Sequence, residues 1–337
     1  MSSLPEFEYA TPATPAEAAA LLGPDWTDTV VYAGGMDLLD LMKERITAPK
    51  RLVNIKKCDA LRFIRTDDDG ALRLGALVTL AEIAASDTVR TAHPALAQAA
   101  GLAATPQVRN MATLGGNLCQ RPRCWYLRSE DFPCLRKGGD RCYAKEGENR
   151  YHAIFTEGEP CVIVHPSATA VALSALGAEI KVLSKGGATR TIPMAEFFLT
   201  SSQNLQRENV LKPDDLIVEV SVPGAARGLR SHYIKLREKQ SYDWPLADVA
   251  VAARLEGATV RDPRIVLGSA APVPHRAAKA EEFLANKPLT EENAARAGEL
   301  AVEGAKPLAQ NGYKVTLYKV IVRRALMALA GGEEGRS

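Results

Sequence analysis

The beginning of the chain alternates short hydrophobic runs with a stretch of helical periodicity. Residues 29–33 form a run rich in β-branched side chains that ends at Gly34 and Gly35. Residues 37–45 then place apolar side chains at helical spacing, and residues 51–55 are again apolar. This succession of strand, glycine turn, helix and strand predicts a small α/β module at the N-terminus.

Beyond this module the pattern predicts more strands and helices as far as residue 222. Two paired strands are predicted on either side of the turn-forming sequence at 67–70. The predicted elements are strands at 61–66, 71–76, 178–184, 188–192 and 216–222, and helices at about 79–85, 94–104 and 165–176. Residues 119–161 lack a regular period, and we predict a long functional loop there.

A change of order marks the second half of the chain. Residues 223–228, which are rich in glycine and alanine, predict a linker. After it come predicted strands at 231–237, 246–255 and 264–269, followed by predicted helices at 275–286, 290–304 and 313–329. Strands first and helices last indicate an α+β domain. We therefore predict an N-terminal domain at residues 1–225 and a C-terminal domain at residues 229–333.

Composition supports two folded domains and limits the classes of partner. The chain has 337 residues and is 46% hydrophobic, which suffices for two cores. Its 42 Lys and Arg nearly balance its 40 Asp and Glu, so we expect no nucleic-acid partner. No stretch approaches the roughly 20 apolar residues of a membrane span. Residues 1–20 also lack the basic start and apolar run of a signal peptide.

Five of the six cysteines fall in the aperiodic stretch: Cys119, Cys124, Cys134, Cys142 and Cys161. A large chain without a predicted signal peptide favours reduced thiols, which makes clustered cysteines metal-ligand candidates. Their spacing differs from the short knuckles of a zinc site, whereas a [4Fe–4S] cluster tolerates irregular spacing. On spacing alone an iron–sulfur cluster, a zinc site and unliganded thiols all stay open.

The same stretch is rich in positively charged side chains: Arg121, Arg123, Arg128, Arg136, Lys137 and Arg141. Cations near thiolates offset the negative charge of a four-thiolate cluster and lower the pKa of the thiols. We therefore expect these side chains to surround the cysteines.

Two glycine pairs are candidates for binding an anionic ligand. They are Gly34-Gly35 and Gly115-Gly116. Glycine lets the backbone approach a ligand closely, and the first pair precedes a predicted helix whose N–H groups favour an anion. Neither pair matches the dinucleotide fingerprint or the phosphate loop, so ordinary turns stay the alternative.

In this order and spacing, the motifs resemble those of a known family. The N-terminal matches are residues 33–39, Ala-Gly-Gly-Met-Asp-Leu-Leu, and residues 106–117, Pro-Gln-Val-Arg-Asn-Met-Ala-Thr-Leu-Gly-Gly-Asn. Residues 267–274, 311–315 and 322–326 match in the C-terminal half. The chain resembles the FAD-binding medium subunit of the xanthine dehydrogenase, carbon monoxide dehydrogenase and aldehyde oxidase group, the molybdenum hydroxylases.

The resemblance implies an α+β fold. It consists of a two-subdomain FAD-binding domain of the vanillyl-alcohol oxidase-like type, followed by an α+β domain of the carbon monoxide dehydrogenase flavoprotein C-terminal type. It also implies which residues bind FAD, with Ala168 at a position that is often acidic in the family. The implied FAD-binding residues are Val31, Tyr32, Ala33, Gly34, Gly35, Met36, Asp37, Leu38, Thr113, Leu114, Gly115, Gly116, Asn117, Ile217 and Lys235.

The cysteine stretch resembles an insertion found in a smaller subset of the family, at about residues 118–162 here. That subset includes the β subunit of 4-hydroxybenzoyl-CoA reductase and the flavin subunit of bacterial periplasmic aldehyde oxidoreductase, and the second is the more similar. The resemblance implies a [4Fe–4S] cluster held by Cys124, Cys134, Cys142 and Cys161, with Cys119 left over.

The implied function is electron transfer within a heterotrimer. The partners would be a large subunit with the molybdenum cofactor and a small subunit with [2Fe–2S] clusters, and FAD would pass electrons to an external acceptor. A 4-hydroxybenzoyl-CoA reductase-like subunit, a free-standing flavin dehydrogenase and a non-enzymatic metal-binding subunit are the alternatives. We expect the bacterial cytoplasm, or the periplasm if the chain is exported folded on a signal-bearing partner. No residue is expected to act as an acid, base or nucleophile.

Overall fold

The computed structural model describes residues 4–239 and 242–331. In this part of the chain the strands are β1 (Glu8–Ala10), β2 (Thr29–Tyr32), β3 (Arg51–Asn54), β4 (Ile64–Thr66), β5 (Leu72–Gly75), β6 (Glu179–Ser184), β7 (Thr189–Pro193), β8 (Asp215–Val222), β9 (Arg230–Leu236), β10 (Ala247–Glu256), β11 (Thr259–Gly268) and β12 (His275–Arg276).

The α-helices are α1 (Pro15–Leu21), α2 (Leu38–Lys43), α3 (Leu80–Ala85), α4 (Asp87–Ala92), α5 (Pro94–Gly101), α6 (Pro106–Met111), α7 (Leu114–Cys119), α8 (Trp125–Arg128), α9 (Ala168–Ala175), α10 (Met194–Phe197), α11 (Ala278–Leu284), α12 (Glu291–Ala301) and α13 (Tyr313–Leu329). None of these helices combines the length and apolarity that crossing a membrane requires.

Three sheets organise the fold. The first is a parallel sheet in the order β1-β3-β2, and it forms the predicted N-terminal α/β module. The second is antiparallel in the order β4-β5-β8-β6-β7, and it contains both predicted hairpins. The third is antiparallel in the order β12-β11-β10-β9, and α11, α12 and α13 follow it in the chain.

Strand β10 lies between two hydrophobic cores because successive side chains of a strand point to opposite faces. Ala250 and Ala252 face the core of the N-terminal part, which also contains α5 and α9. Val249 and Val251 face a second core formed with the C-terminal helices. The C-terminal sheet therefore packs directly on the part of the chain that precedes it, and the predicted linker is not an open hinge.

Helix α13 shows why hydrophobic spacing predicted this region well. Tyr318, Ile321, Val322 and Ala325 are buried at i, i+3, i+4 and i+7, which places them on one helical face. Burying each large apolar side chain contributes about 1.5–3 kcal/mol. The bounds of α13 coincide with the predicted residues 313–329.

The aperiodic stretch forms little regular structure, as predicted. It contains the four-residue helix α8 and the single 3-10 turns Leu135–Lys137 and Tyr143–Lys145. It is attached to the C-terminal domain by an amide pair, in which the Asn149 backbone N–H donates to the Gln310 side chain and the Gln310 N–H donates to the Asn149 side chain.

Candidate functional site

A cavity of about 540 Å³ lies where the predicted glycine motifs meet the C-terminal sheet. Gly34 and Gly35 line it from the first motif, and Gly115 and Gly116 line it from the second. Ile217 of β8 and Lys235 of β9 also line it. The volume lies within the range of ordinary small-molecule and cofactor sites.

Most of the predicted FAD-binding residues line this cavity. They are Val31, Ala33, Gly34, Gly35, Met36, Asp37, Leu38, Thr113, Gly115, Gly116, Asn117, Ile217 and Lys235, and Ala168 joins them. Tyr32 and Leu114 do not. The Tyr32 ring lies against Gly35 and under the Lys56 ammonium, and the Leu114 side chain is fully buried in the hydrophobic core.

The first glycine turn presents free backbone donors to the cavity. Gly35 has a φ of +74°, a conformation that favours glycine. In the described part of the chain, the backbone N–H groups of Gly34, Gly35, Met36 and Asp37 have no hydrogen-bond acceptor. A cavity wall with several unpaired N–H groups is suited to an anion such as a diphosphate.

The second glycine pair lies inside a helix, which the sequence analysis did not predict. Gly115 and Gly116 belong to the first turn of α7, and the Thr113 side chain caps that helix by accepting from the Gly116 N–H at 3.2 Å. The Leu114 and Gly115 N–H groups donate to carbonyls at 78 and 76. These amides are already used, so the second motif shapes the cavity more than it offers donors to a ligand.

The two motifs touch through their backbones. A Cβ atom at Gly34 would lie 2.1 Å from the Met111 carbonyl oxygen, so no other residue fits without moving one of the two segments. The absence of a side chain at Gly34 therefore brings the motifs together at one end of the cavity.

Four cationic side chains and four aspartates line the cavity, and two of the cations have a donor atom without an acceptor among the described residues. The Nε atoms of Arg123 and Arg207 are buried without an acceptor among the described residues. Burial lowers the pKa of Lys235 to about 8, and its ammonium donates to the Leu102 carbonyl at 3.0 Å. Cationic side chains in the lining fit a ligand that carries phosphate groups, as FAD does.

Several lining residues were not among the predicted FAD-binding residues, because they lie outside both motifs. The Arg207 guanidinium stacks on the Trp26 ring at 3.6 Å, and the Arg123 guanidinium lies 4.7 Å from the Trp244 ring. Trp244 is half exposed at 50%. An exposed tryptophan is a usable signal of a binding surface, but its place beside the cavity depends on tertiary packing.

The four predicted cluster ligands also meet in space. Cys124, Cys134, Cys142 and Cys161 line one small cavity of about 10 Å³, which is the room of a single water. No three His, Cys, Asp or Glu side chains in residues 4–239 and 242–331 are arranged to hold one metal ion. The compact tetrahedron of a zinc site is therefore not formed here. A [4Fe–4S] cluster needs more room than this cavity has, and it stays a prediction.

The thiols differ in their tendency to ionise. The Cys161 thiol donates to Cys142 and lowers the pKa of Cys142 to about 6, while the same contact and burial raise the pKa of Cys161. Burial raises the pKa of Cys124 to about 11. The His152 Nε2 lies 3.2 Å from the Cys124 sulfur, which makes His152 a neighbour of the thiols that the sequence prediction missed.

The predicted cationic shell around the thiols is only partly formed. Arg136 donates to the Cys161 sulfur at 3.4 Å. Arg123 and Arg128 instead contact the Asp37 carboxylate at 3.0 and 2.6 Å. These arginines turn away from the thiols because a carboxylate accepts a charge-assisted hydrogen bond better than a neutral thiol does. They fasten the cysteine stretch to the first glycine motif.

The fifth cysteine takes a different position. Cys119 ends α7 and lines the larger cavity, away from the other four thiols. Cys58 is fully buried in the N-terminal module, where its thiol contacts the Pro12 carbonyl. The geometry therefore groups the four cysteines that were predicted as ligands and leaves Cys119 and Cys58 outside that group.

Comparisons with known proteins agree with this geometry. Residues 5–225 match the FAD binding domain in molybdopterin dehydrogenase, and residues 231–329 match the CO dehydrogenase flavoprotein C-terminal domain. The aldehyde oxidoreductase FAD-binding subunit PaoB of Escherichia coli strain K12 is 35% identical over 314 residues, or 93% of this chain and 95% of that protein. The carbon monoxide dehydrogenase medium chain of Hydrogenophaga pseudoflava is 31% identical over 328 residues, or 96% of this chain and 97% of that protein.

Solved structures share the whole fold. Carbon monoxide dehydrogenase from Hydrogenophaga pseudoflava, in a form that lacks the Mo-pyranopterin moiety, matches with a TM-score of 0.76 and 30% identity, covering 98% of this chain and 99% of that one. Quinoline 2-oxidoreductase from Pseudomonas putida 86 matches with a TM-score of 0.76 and 25% identity, again covering 98% and 99%.

Proposed function

We propose the function of this chain from one premise: it belongs to the FAD-binding medium subunits of the molybdenum hydroxylases. It acts as the subunit that holds FAD and transfers electrons within a multi-subunit molybdenum-dependent dehydrogenase. The observation that carries this proposal is the cavity of about 540 Å³ at which both glycine motifs converge. When bound, FAD supplies the chemistry of accepting two electrons and passing them on.

The residues of this chain bind and orient that cofactor. The free N–H groups of Gly34 to Asp37 and the cationic side chains of Arg207 and Arg123 that line the cavity would hold its diphosphate. Lys235 would place a further positive charge in the lining, with its position set by the hydrogen bond to Leu102. None of these contacts requires a residue to act as an acid, base or nucleophile.

The cysteine stretch is proposed to carry one [4Fe–4S] cluster on Cys124, Cys134, Cys142 and Cys161. The support is that these thiols share one cavity and that Arg136 already donates to one of the sulfurs. Cys124 directly follows Arg123, which lines the flavin cavity, so the backbones of the two sites are one residue apart, about 3.8 Å between Cα atoms. The two proposed sites would therefore be held by neighbouring residues of one segment.

The complex is proposed to contain a large subunit with the molybdenum cofactor and a small subunit with [2Fe–2S] clusters. Substrate oxidation then takes place on the large subunit, and the similarity to the aldehyde oxidoreductase subunit favours an aldehyde. The electrons leave through FAD to an external acceptor.

For the cellular compartment, the sequence prediction stands as a proposal: the bacterial cytoplasm, or the periplasm after folded export on a partner.

Iron, flavin and molybdenum analysis of the purified native complex tests this proposal. We expect one FAD per copy of this chain and four more iron atoms than the small subunit accounts for. Cys134→Ser lowers the iron content and leaves FAD bound, whereas Cys58→Ser, a control at a buried thiol outside the site, changes neither. A complex without flavin refutes the function, and unchanged iron in Cys134→Ser removes that residue from the ligand set.

A further inference from the structure

We propose that Glu208 electrostatically couples the thiol cavity and the flavin cavity and sets the reduction potentials of both cofactors. The inference rests on the proposed function, because it concerns the residues that lie between the two proposed sites. Glu208 precedes β8 on a loop that was not identified from sequence.

Glu208 is a buried carboxylate shared by two arginines. Its side chain is 7% exposed, and its Oε1 accepts from Arg136 Nη1 at 2.8 Å and from Arg121 Nη2 at 3.0 Å. The Arg136 side chain is 1% exposed, so this ion pair is removed from solvent.

Each of the two arginines faces one of the proposed sites. Arg136 donates through Nε to the Cys161 sulfur at 3.4 Å. Arg121 lines the flavin cavity, and its backbone N–H donates to the Asp37 Oδ2 at 2.8 Å. One carboxylate oxygen therefore connects the cation beside a thiol to the cation beside the glycine turn.

The charges of Glu208, Arg121 and Arg136 do not balance without ligands. Two guanidinium groups on one carboxylate leave a net charge of about +1. Burial, and after it repulsion from Arg121, lowers the pKa of Arg207. A buried charge is costly unless it is paired. Thiolates at one site and phosphate groups at the other supply the missing negative charge.

Reducing the cofactor at either site by one electron adds negative charge beside Glu208, Arg121 and Arg136. Charges interact strongly where solvent is excluded, so the Glu208 carboxylate opposes reduction at both sites while the two arginines favour it. Removing the carboxylate raises both reduction potentials, and removing one arginine lowers them. A residue with a purely structural role does not move two potentials in directions that follow the sign of the charge removed.

The test is a reductive titration of the intact complex, with the cluster followed by electron paramagnetic resonance and the flavin by absorbance. Glu208→Gln is expected to raise both potentials, and at a fixed potential the reduced-to-oxidised ratio of the cluster increases about tenfold, which is about 59 mV for a one-electron couple. Arg121→Gln, at the flavin side, is expected to lower the potentials of both the flavin and the cluster.

A matched control is Glu281→Gln in the C-terminal domain. Glu281 is also a buried, ion-paired glutamate, with Arg276 Nε at 2.7 Å, but it lines neither cavity. Both potentials are expected to stay unchanged in this variant.

Unchanged potentials in a Glu208→Gln complex that retains iron and flavin overturn the inference, and so does a shift confined to one cofactor. If Glu208→Gln fails to fold, Arg121→Gln decides, and an unmoved cluster potential overturns the coupling. Iron analysis of the unsubstituted complex tests the proposed cluster independently of the reduction potentials. If the additional iron is absent there, the proposed cluster fails and the inference with it.

Discussion

At the scale of single residues, glycine acts in this protein by allowing two backbones to touch. Gly34 was recognised as a glycine that could admit a ligand, and it does line the cavity. The structure adds that its missing Cβ makes room for the Met111 carbonyl. Sequence identifies such a glycine, but the atom it accommodates is 77 positions away and is known only after folding.

Gly34→Ala is therefore expected to destabilise the chain by about 1–3 kcal/mol, which is typical of forcing extra volume into a packed site. Separation of the two motifs should also lower FAD occupancy, measured by flavin absorbance beside a urea unfolding curve. Gly312→Ala is the control, because a Cβ at Gly312 meets nothing within 4 Å. Full stability and full flavin occupancy in Gly34→Ala would show that the contact is loose.

At the scale of elements, periodicity predicted the longer strands and helices and failed at the short, glycine-containing ones. Helix α13 was found with its observed bounds, because an apolar face recurs over 17 residues. Helix α7 was missed, because Gly115 and Gly116 weaken helical propensity and six residues give almost no periodic signal. Its stability comes from the Thr113 cap and from packing against residues 76–78.

Thr113→Ala tests the dependence of the flavin cavity on that cap. Loss of an N-cap costs about 1 kcal/mol, and we expect a decrease in flavin affinity of about fivefold because the capped helix lines the cavity. Thr290→Ala removes the equivalent cap of α12 in the C-terminal domain, so it should cost similar stability and leave flavin affinity unchanged. Fluorescence titration with FAD distinguishes the two, and equal affinities would mean that the α7 cap does not support the site.

At the scale of the whole molecule, a buried lysine joins the cysteine stretch to the C-terminal domain. Lys314 of α13 is fully buried and donates to the carbonyls of His152 at 3.0 Å and Ser269 at 2.6 Å. Burial lowers the pKa of Lys314 to about 7. Lys314 is therefore a titratable group between the cysteine stretch and the C-terminal domain, although the sequence pattern showed only an ordinary helix there.

The stability contributed by Lys314 should increase as pH rises from about 7 to about 10.5. In this window the unfolded lysine binds a proton that the folded lysine has lost, and stability rises with pH wherever the unfolded state binds more protons. The wild type should gain on the order of 3 kcal/mol relative to Lys314→Met across the window. Urea unfolding at pH 7 and pH 10 measures this difference. Lys319→Met, at an exposed position of the same helix, is the control, and its stability difference from the wild type should be the same at both pH values. An equally constant difference for Lys314→Met would contradict a lowered pKa of Lys314.

The sequence by itself determined the class of fold, the order of its main elements, the two glycine motifs and the stretch in which five cysteines cluster. These features are carried by residue type and spacing along the chain, which an unfolded polymer already possesses. Tertiary structure decided which amides stay free at the cavity, which arginines turn to carboxylates, and that Glu208 lies between the two sites. Those outcomes depend on contacts between residues far apart in the chain, such as Arg128 and Asp37, which are 91 positions apart, and local pattern holds no information on them.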